Sequence, residues 1–183
     1  MTTSIGEIER GSPGYLVKMA AAGDEVAFGR IVAAHHDAME RVAYIVTGDL
    51  DLADDATAAA WSLAWRRLGS LREPAKLRSW LVSIAANEAR GLARSRRRHQ
   101  ILEIEVAAQI ASDDFDLSAR DSDVDLANAL ARLDPDDRRL LALRYVAGFD
   151  SCELARATGR SASGTRARLA RLLGRLRTEL DHE

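Results

Sequence analysis

One stretch near the N-terminus constrains the fold more than any other feature of the sequence. In AAGDEVAFGRIVAAHHDAMERVAYIVTGD, residues 21–49, apolar side chains recur at intervals of three and four. That period is typical of an amphipathic α-helix and not of a strand. Asp24 is expected to cap its start, and Gly48 to end it. The predicted apolar stripe comprises Phe28, Ile31, Val32, His35, Met39, Val42 and Ile45.

Two further helices are expected before residue 100. The second begins near Leu52 and runs to Leu68, and the loop GSLREP follows it because glycine and proline interrupt helices. The third starts near Ala75 and ends among arginines. Only three prolines occur in 183 residues, so the composition favours an all-α protein.

Charge is strongly segregated, although 26 basic and 28 acidic residues give the whole chain a formal charge of only −2. Residues 61–100 hold 10 bases and 2 acids, a net of +8. Residues 153–177 hold 7 bases and 1 acid, a net of +6. A lone basic stretch is often a solvated helix face, but two such stretches favour a nucleic-acid-binding protein.

The region between the two basic stretches predicts a flexible linker. Residues 101–125 hold 1 base and 8 acids and show little periodicity, which disfavours an ordered core. We therefore expect two small helical domains, the first with three or four helices, joined by an acidic tether in which a short helix around ILEIEVAAQI is the open alternative. The predicted boundaries are an N-terminal extension at 1–18, a first domain at 19–99, the linker at 100–124 and a second domain at 125–183.

The second domain has the pattern of a helix-turn-helix. Asp150 is expected to cap a short helix, and Gly159 supplies a turn residue that tolerates positive φ. A second helix from about Ala162 is expected to present arginines to phosphates or guanine edges in the major groove. Thr165 stands where Val or Ile usually seals the small core. An ordinary helical hairpin is the alternative, and the arginine density favours DNA binding.

Two blocks of the chain together resemble one protein family. DLADDATAAAWSLAWRRLGSLREPAKLRSWLVSIAANEARGLARSRRR resembles the first domain of an extracytoplasmic-function (group IV) sigma factor of bacterial RNA polymerase. ALARLDPDDRRLLALRYVAGFDSCELARATGRSASGTRARLARLLGRL resembles the second domain of that family. The match covers about 20–100 and 125–180, in the right order and spacing.

The resemblance implies an alternative sigma factor that binds RNA polymerase core and directs promoter recognition. In this family the first domain binds the β′ clamp and opens the −10 element, and the second binds the β flap and reads the −35 element. It assigns core-polymerase binding to Asp54, Asp55, Trp61 and Trp65. It assigns −10 DNA binding to Arg78, Asn87, Arg90, Arg94, Arg96, Arg97 and Arg98. It assigns −35 DNA binding to Ser161, Ala162, Ser163, Thr165, Arg166, Arg168 and Arg171.

The sequence departs from the family pattern on the second helix. The family commonly has Asp-x-x-Gln followed by an acid there, but alanines follow Asp55, including Ala58 and Ala59. We therefore expect a weaker polymerase contact. A regulator that binds DNA without recruiting polymerase is an alternative for this reason. A protein-interaction module with merely solubilising arginines is another, and it predicts little DNA affinity.

The sequence offers little support for an enzyme. Its four histidines lack the i, i+4 zinc spacing, and no glycine-rich phosphate loop is present. Cys152, the only cysteine, is expected to be a small buried side chain. We expect no catalysis, cofactor, metal or small-molecule substrate, and no insertion into a membrane. The resemblance implies a cytoplasmic protein with an anti-sigma partner, through which it could be held at the membrane.

Overall fold

The structure, a computed structural model, describes residues 13–106 and 129–180, and every regular element in these ranges is helical. The N-terminal unit contains α1 (Pro13–Ala21), α2 (Glu25–Thr47), α3 (Leu50–Arg67) and α4 (Leu77–Val106). Two short 3₁₀ turns, Leu68–Ser70 and Pro74–Lys76, join α3 to α4. The C-terminal unit contains α5 (Pro135–Leu141), α6 (Ser151–Thr158) and α7 (Ala162–Leu180).

Both ends of α2 are determined by local chemistry, as the sequence predicts. The Asp24 carboxylate accepts hydrogen bonds from the amides of Val26 (2.9 Å) and Ala27 (3.0 Å), which otherwise lack helical partners. Gly48 ends the helix with φ of 73°, a left-handed conformation that favours glycine. The next helix begins almost at once, because Asp49 accepts from the Leu52 amide at 2.9 Å. It therefore starts at Leu50, slightly before the predicted position.

Small side chains allow the three long helices to pack closely. Along α3, all but one of the buried residues are alanines. They are Ala53, Ala56, Ala60 and Ala64, and the exception is Thr57. Larger buried side chains, among them Met39 of α2 and Leu81 of α4, fill the space between the helices. The result is a tight three-helix core.

Helices cross both predicted boundaries of the first domain. α1 spans residue 18, and its Val17 and Ala20 are buried against the bundle, so this part of the predicted extension belongs to the fold. At the other end, α4 continues through 100 to Val106, seven residues into the predicted linker. The rest of that linker, up to 124, lies outside the described residues. The flexible tether therefore stays a prediction.

The C-terminal unit has the predicted helix-turn-helix. A capping box starts α6: the Asp150 carboxylate accepts from the amides of Cys152 and Glu153, and the Glu153 carboxylate accepts from the Asp150 amide. Gly159 then ends α6 with φ of 67°. Before it, α5 passes into a five-residue π-helical turn, Ala142–Val146. Buried leucines that join α6 to α7 are Leu154, Leu169, Leu172 and Leu176.

The two units pack against each other. α5 and its π-helical turn contact both α2 and α4. Buried apolar side chains of both units form one continuous cluster. This contact places the start of α5 beside the arginine-rich part of α4.

Candidate nucleic-acid interface

The residues predicted to bind the −10 element lie along α4. Asn87 is exposed in the middle of the helix, and the arginines at 94, 97 and 98 are exposed toward its end. We call the part of α4 that carries Arg90, Arg94 and Arg97 the basic face of α4. A surface of this kind suits a phosphate backbone, because guanidinium groups bind phosphate oxygens in pairs.

Aspartates from the C-terminal unit lie against the basic face of α4. Arg90 forms a two-bond ion pair with Asp136, in which its Nη2 lies 3.3 Å from Oδ2. Arg94 Nη2 lies 3.2 Å from the same oxygen, and Arg97 Nη1 lies 3.5 Å from Asp134 Oδ2. The hydrogen bond from Arg90 is the main cause that holds the pKa of Asp136 below its usual value. The carboxylate is therefore ionised at neutral pH and neutralises part of this face.

The start of α4 also contacts the C-terminal unit. Arg78 Nη1 donates to the carbonyl oxygen of Ala147 at 3.2 Å. Trp80 is partly buried, and it lines a cleft of about 410 Å³ together with Phe149 and Arg156. The structure therefore brings this end of α4 against the segment that precedes α6, the first helix of the helix-turn-helix.

Arg96 is directed elsewhere. It pairs with Asp49, at the junction of α2 and α3. Partial burial raises the pKa of Asp49, but hydrogen bonds from the Leu52 amide and from Arg96 outweigh that effect, so the pKa is lowered overall. Both residues line a second cleft between the units, of about 430 Å³, which Arg138 also lines.

The predicted −35 residues lie at the start of α7. The Ser161 hydroxyl accepts from the Gly164 amide at 3.1 Å and so caps this helix. Ser163, Arg166 and Arg171 are exposed, and Ala162 is half-buried. This end of α7 therefore presents polar and cationic side chains together, as recognition helices do.

Two members of the predicted −35 set are not available to DNA in this structure. Thr165 is 0% exposed, and its hydroxyl donates to the Ser161 carbonyl at 2.9 Å, so its side chain is part of the core and the assignment to DNA contact is corrected. Burial follows from its position, which the motif reserves for a core side chain. Arg168 forms an ion pair with the buried side chain of Asp137.

The predicted polymerase-binding residues lie on α3. Asp54, Asp55 and the alanines at 58 and 59 are exposed. Trp61 and Trp65 both contact Phe28, with ring centroids 5.7 Å and 4.7 Å from it in edge-to-face geometry. Trp65 remains 37% exposed. These aromatic rings form a semi-exposed patch on the second half of α3.

A histidine pair borders this region. Trp61 Nε1 donates to His36 Nδ1 at 3.2 Å. Its neighbour His35 is half-buried, and burial, with a smaller contribution from the charge of Arg78, lowers the pKa of His35. His35 is therefore mostly neutral at neutral pH, in keeping with a packing role.

Sequence reasoning missed two buried arginines of α5. Arg138 and Arg139 are only 8% and 5% exposed, although arginine is seldom buried. Arg139 donates to the carbonyl of Ala157 near the end of α6, which ties α5 to the helix-turn-helix. The Nε atoms of both arginines have no hydrogen-bond partner. No local signal in DPDDRRLL distinguishes these side chains from solvated ones.

Three further expectations concern metal binding, the membrane and the cysteine. Among residues 13–106 and 129–180, no His, Cys, Asp and Glu side chains form a group suited to a metal ion. None of the helices described is long and apolar enough to cross a membrane. Cys152 is exposed, so the prediction of a buried thiol is wrong. Its position near the N-terminus of α6 directs it away from the leucine core.

The sequence matches two family descriptions, one in each unit. Residues 31–99 match sigma-70 region 2, and residues 123–176 match sigma-70 region 4. The first match covers α2 to α4 and includes the basic face. The second covers α5, α6 and most of α7.

Relatives with these features are RNA polymerase sigma factors. The ECF RNA polymerase sigma factor SigM of Mycobacterium tuberculosis is 32% identical over 94% of this chain and 90% of its own length. CnrH of Cupriavidus metallidurans is 29% identical over 91% of this chain and 93% of its own. The probable sigma factor RfaY of Xanthomonas campestris is 32% identical over 88% of this chain, which spans 42% of RfaY.

A solved structure agrees with the sequence comparison. CnrH, in complex with the cytosolic domain of CnrY, is similar with a TM-score of 0.66 and 27% identity. The similarity covers 92% of this chain and 96% of that one. It therefore extends over both helical units.

Proposed function

The chain belongs to the extracytoplasmic-function sigma factors of the sigma-70 family and is an alternative sigma factor that directs transcription initiation, and from this premise we propose how its surfaces divide the work. The N-terminal unit binds polymerase core and captures the −10 element, and the C-terminal unit reads the −35 element. The observation that carries this division is that each unit has its own cationic helical surface, the basic face of α4 in one and the start of α7 in the other. The protein contributes no catalysis of its own.

For the −10 element, the supporting features are charge and position. Arg94, Arg97 and Arg98 lie on one helix with Asn87 and provide cations for several consecutive phosphates. Asn87 is an exposed amide, able to donate to and accept from an unstacked base. Arg78 and Trp80 lie at the start of the same helix, where the strand would be guided toward the polymerase.

For the polymerase core, we propose the exposed aspartates and tryptophans of α3 as the contact with the β′ clamp. Asp54 and Asp55 supply charge, and Trp65 supplies an exposed aromatic surface, a residue type enriched in interfaces. Ala58 and Ala59 are exposed on this helix and leave no polar group there. The contact is therefore weaker than the family pattern would give.

We also propose an anti-sigma partner. The structure of CnrH was solved with the cytosolic domain of CnrY, and that similarity spans both units of this chain. A partner of this kind would keep the protein inactive in the cytoplasm and, where the partner is membrane-bound, near the membrane. Co-purification from the native host followed by identification of the bound protein tests this proposal, and recovery of the chain without a stoichiometric partner would contradict it.

The first test of the proposed function is binding to purified polymerase core, followed by transcription from a promoter library. Core binding with selective transcripts is expected. A second candidate, a DNA-binding regulator that does not recruit polymerase, is favoured by the exposed alanines of α3. That candidate predicts retained DNA binding with no core in the pull-down.

A paired substitution tests the −10 surface within the same assay. Arg97→Ala with Arg98→Ala is expected to weaken the promoter complex and to lower the slope of log K against log salt, because each phosphate contact releases counterions. Arg30→Ala with Arg41→Ala is the charge-matched control, since both arginines are exposed on α2, outside the proposed surface. An unchanged slope in the first variant would remove these arginines from the DNA contact.

A further inference from the structure

The aspartates around the start of α5 contact arginines of both predicted DNA-binding surfaces. Asp134 and Asp136 pair with the basic face of α4, and Asp137 pairs with Arg168 of α7. The first two contacts join the N-terminal and C-terminal units, whereas the third lies within the C-terminal unit. We propose that Asp134 and Asp136 form an internal latch that adds to the apolar contact between the two units and covers the −10 surface of the free protein.

The chemistry of the latch is competition for guanidinium groups. Carboxylate and phosphate oxygens bind the same donors in the same paired geometry, so an arginine held by a carboxylate is not free for a phosphate. Arg90 and Arg94 share Asp136, and Arg97 binds Asp134. The two aspartates therefore occupy three of the seven residues assigned to the −10 strand.

Another contact extends the covered surface to the start of α4. Arg78, also assigned to the −10 strand, donates to the backbone carbonyl of Ala147. This bond requires the C-terminal unit to lie where the structure places it. Four residues of one predicted DNA surface thus contact the unit that reads the other promoter element, so the −10 strand must compete with that unit for them.

The strength expected of the latch allows it to open. An exposed ion pair shifts an equilibrium by roughly 1.5- to 5-fold, and these side chains are between one-fifth and two-thirds exposed. Three such pairs together shift the balance of closed and open forms on the order of tenfold. Binding of polymerase to the separated units could supply a shift of that size.

The sequence permits a precise variant of the latch. Asp134 also caps α5, with its carboxylate accepting from the Asp136 amide at 2.8 Å. Asparagine caps helices as well as aspartate does, so Asp134→Asn with Asp136→Asn removes the charge and preserves the cap. Glu25→Gln with Asp37→Asn makes the same change in net charge at exposed positions on α2 and serves as the control.

The distance between the units is the direct measurement. Cys152 is exposed on α6, and Ala33→Cys adds a second label site at an exposed position on α2, so energy transfer between two dyes reports the separation. In low salt we expect high transfer in the unsubstituted and control proteins and lower transfer in the latch variant. Added salt should lower transfer in the first two, because it screens exposed ion pairs. Equal transfer in all three proteins at low salt would overturn the latch.

A binding measurement gives the functional consequence, and this part rests on the proposed function. Single-stranded DNA of −10 sequence should bind the latch variant more tightly than the control, by at most about tenfold, since affinity scales with the open fraction. Equal affinity in a variant shown to be open by energy transfer would mean that the latch does not cover the DNA site. Failure of the proposed function itself would be seen separately, as absence of polymerase binding by the unsubstituted protein.

Discussion

The two basic surfaces of this sigma factor are both rich in arginine, but they differ in which anionic side chains lie next to those arginines. On α4, Arg90, Arg94 and Arg97 are all engaged by aspartates of the other unit. On α7, Arg166 and Arg171 are exposed. Positive charge alone therefore does not identify a surface that is ready to bind DNA. What matters is whether the fold has already supplied an anion to the same guanidinium groups.

This difference suggests an order of events for the free protein. The surface on α7 can meet duplex DNA at once, whereas the basic face of α4 becomes available only when the units separate. Polymerase, proposed above as the partner of both units, is the natural agent of that separation. The protein would then expose its strand-capturing surface only in the complex that needs it.

The largest expected effect concerns the exposed surface. Arg166→Ala with Arg171→Ala should weaken binding of the free protein to −35 duplex by about 1–3 kcal/mol per arginine that reads a guanine edge. Fluorescence anisotropy with labelled duplex measures this loss, with Arg30→Ala and Arg41→Ala as the control pair. If duplex affinity survives in the first variant, α7 is not the reading helix and the comparison fails.

Two adjacent arginines of α4 sharpen the comparison within a single helix. Arg97 lies 3.5 Å from Asp134, whereas Arg98 is exposed. In the free protein, Arg98→Ala should lower the salt slope for single-stranded DNA by about 0.7, the value for one phosphate contact, and Arg97→Ala should change it little. In the polymerase complex both substitutions should lower it. Equal slopes for the two variants in the free protein would show that the ion pair does not restrict Arg97.

Acidification should loosen the contact between the units. Arg90 is the main cause of the lowered pKa of Asp136, and Arg94 and Arg168 add to it. Because the pKa is lower in the closed form, the pair stabilises that form fully above the ordinary aspartate pKa of about 3.9. Its contribution is lost as pH falls from that value through the lowered one. Energy transfer between the labelled units should therefore decrease over this range.

The acid response has its own control. In Asp136→Asn the group that titrates is absent, so the part of the response due to this pair should disappear. Circular dichroism recorded on the same samples separates opening from unfolding, since helix content is retained when only the units separate. A response of the same size in Asp136→Asn would assign the effect to other carboxylates.

The smallest expected effect concerns Thr165. Because its side chain is buried, Thr165→Val should leave affinity for −35 duplex unchanged. Stability should change by less than about 1.5 kcal/mol, since the hydroxyl bond to Ser161 is lost while the added methyl packs in the core. Urea denaturation and anisotropy measure the two quantities. A clear loss of affinity with normal stability would restore Thr165 to the DNA-binding set.

Local features of this fold were predictable from the sequence because local chemistry determines them. Asp24, Asp150 and Gly159 have the capping and turn roles expected of them, and the apolar stripe of α2 contributes Ile31 and Met39 to the core. α1 was missed because a nine-residue helix with a polar lead is stabilised chiefly by packing on its neighbours.

The ion pairs between the units were not predictable in the same way. Asp134 and Asp136 resemble ordinary helix-start residues, and Asp134 does cap α5. Their second role depends on arginines far away in the sequence. Asp136, for example, pairs with Arg90, which lies 46 residues before it. Such a pairing is set by how two helical units dock, which neither periodicity nor spacing encodes. For the same reason the sequence could assign arginines to DNA but not say which were already engaged.

The π-helical turn at Ala142–Val146 has a consequence for how this protein tolerates insertion and exchange of parts. The turn holds one residue more than an α-helix would over the same arc, and the Ala147 amide bonds back to the Ala142 carbonyl at 3.0 Å. Rewinding all five residues as a regular α-helix, with none removed, would rotate everything downstream by about 100°. A chimera that borrows its promoter-reading module from another sigma factor must therefore join beyond Val146, or the new module will face the wrong way.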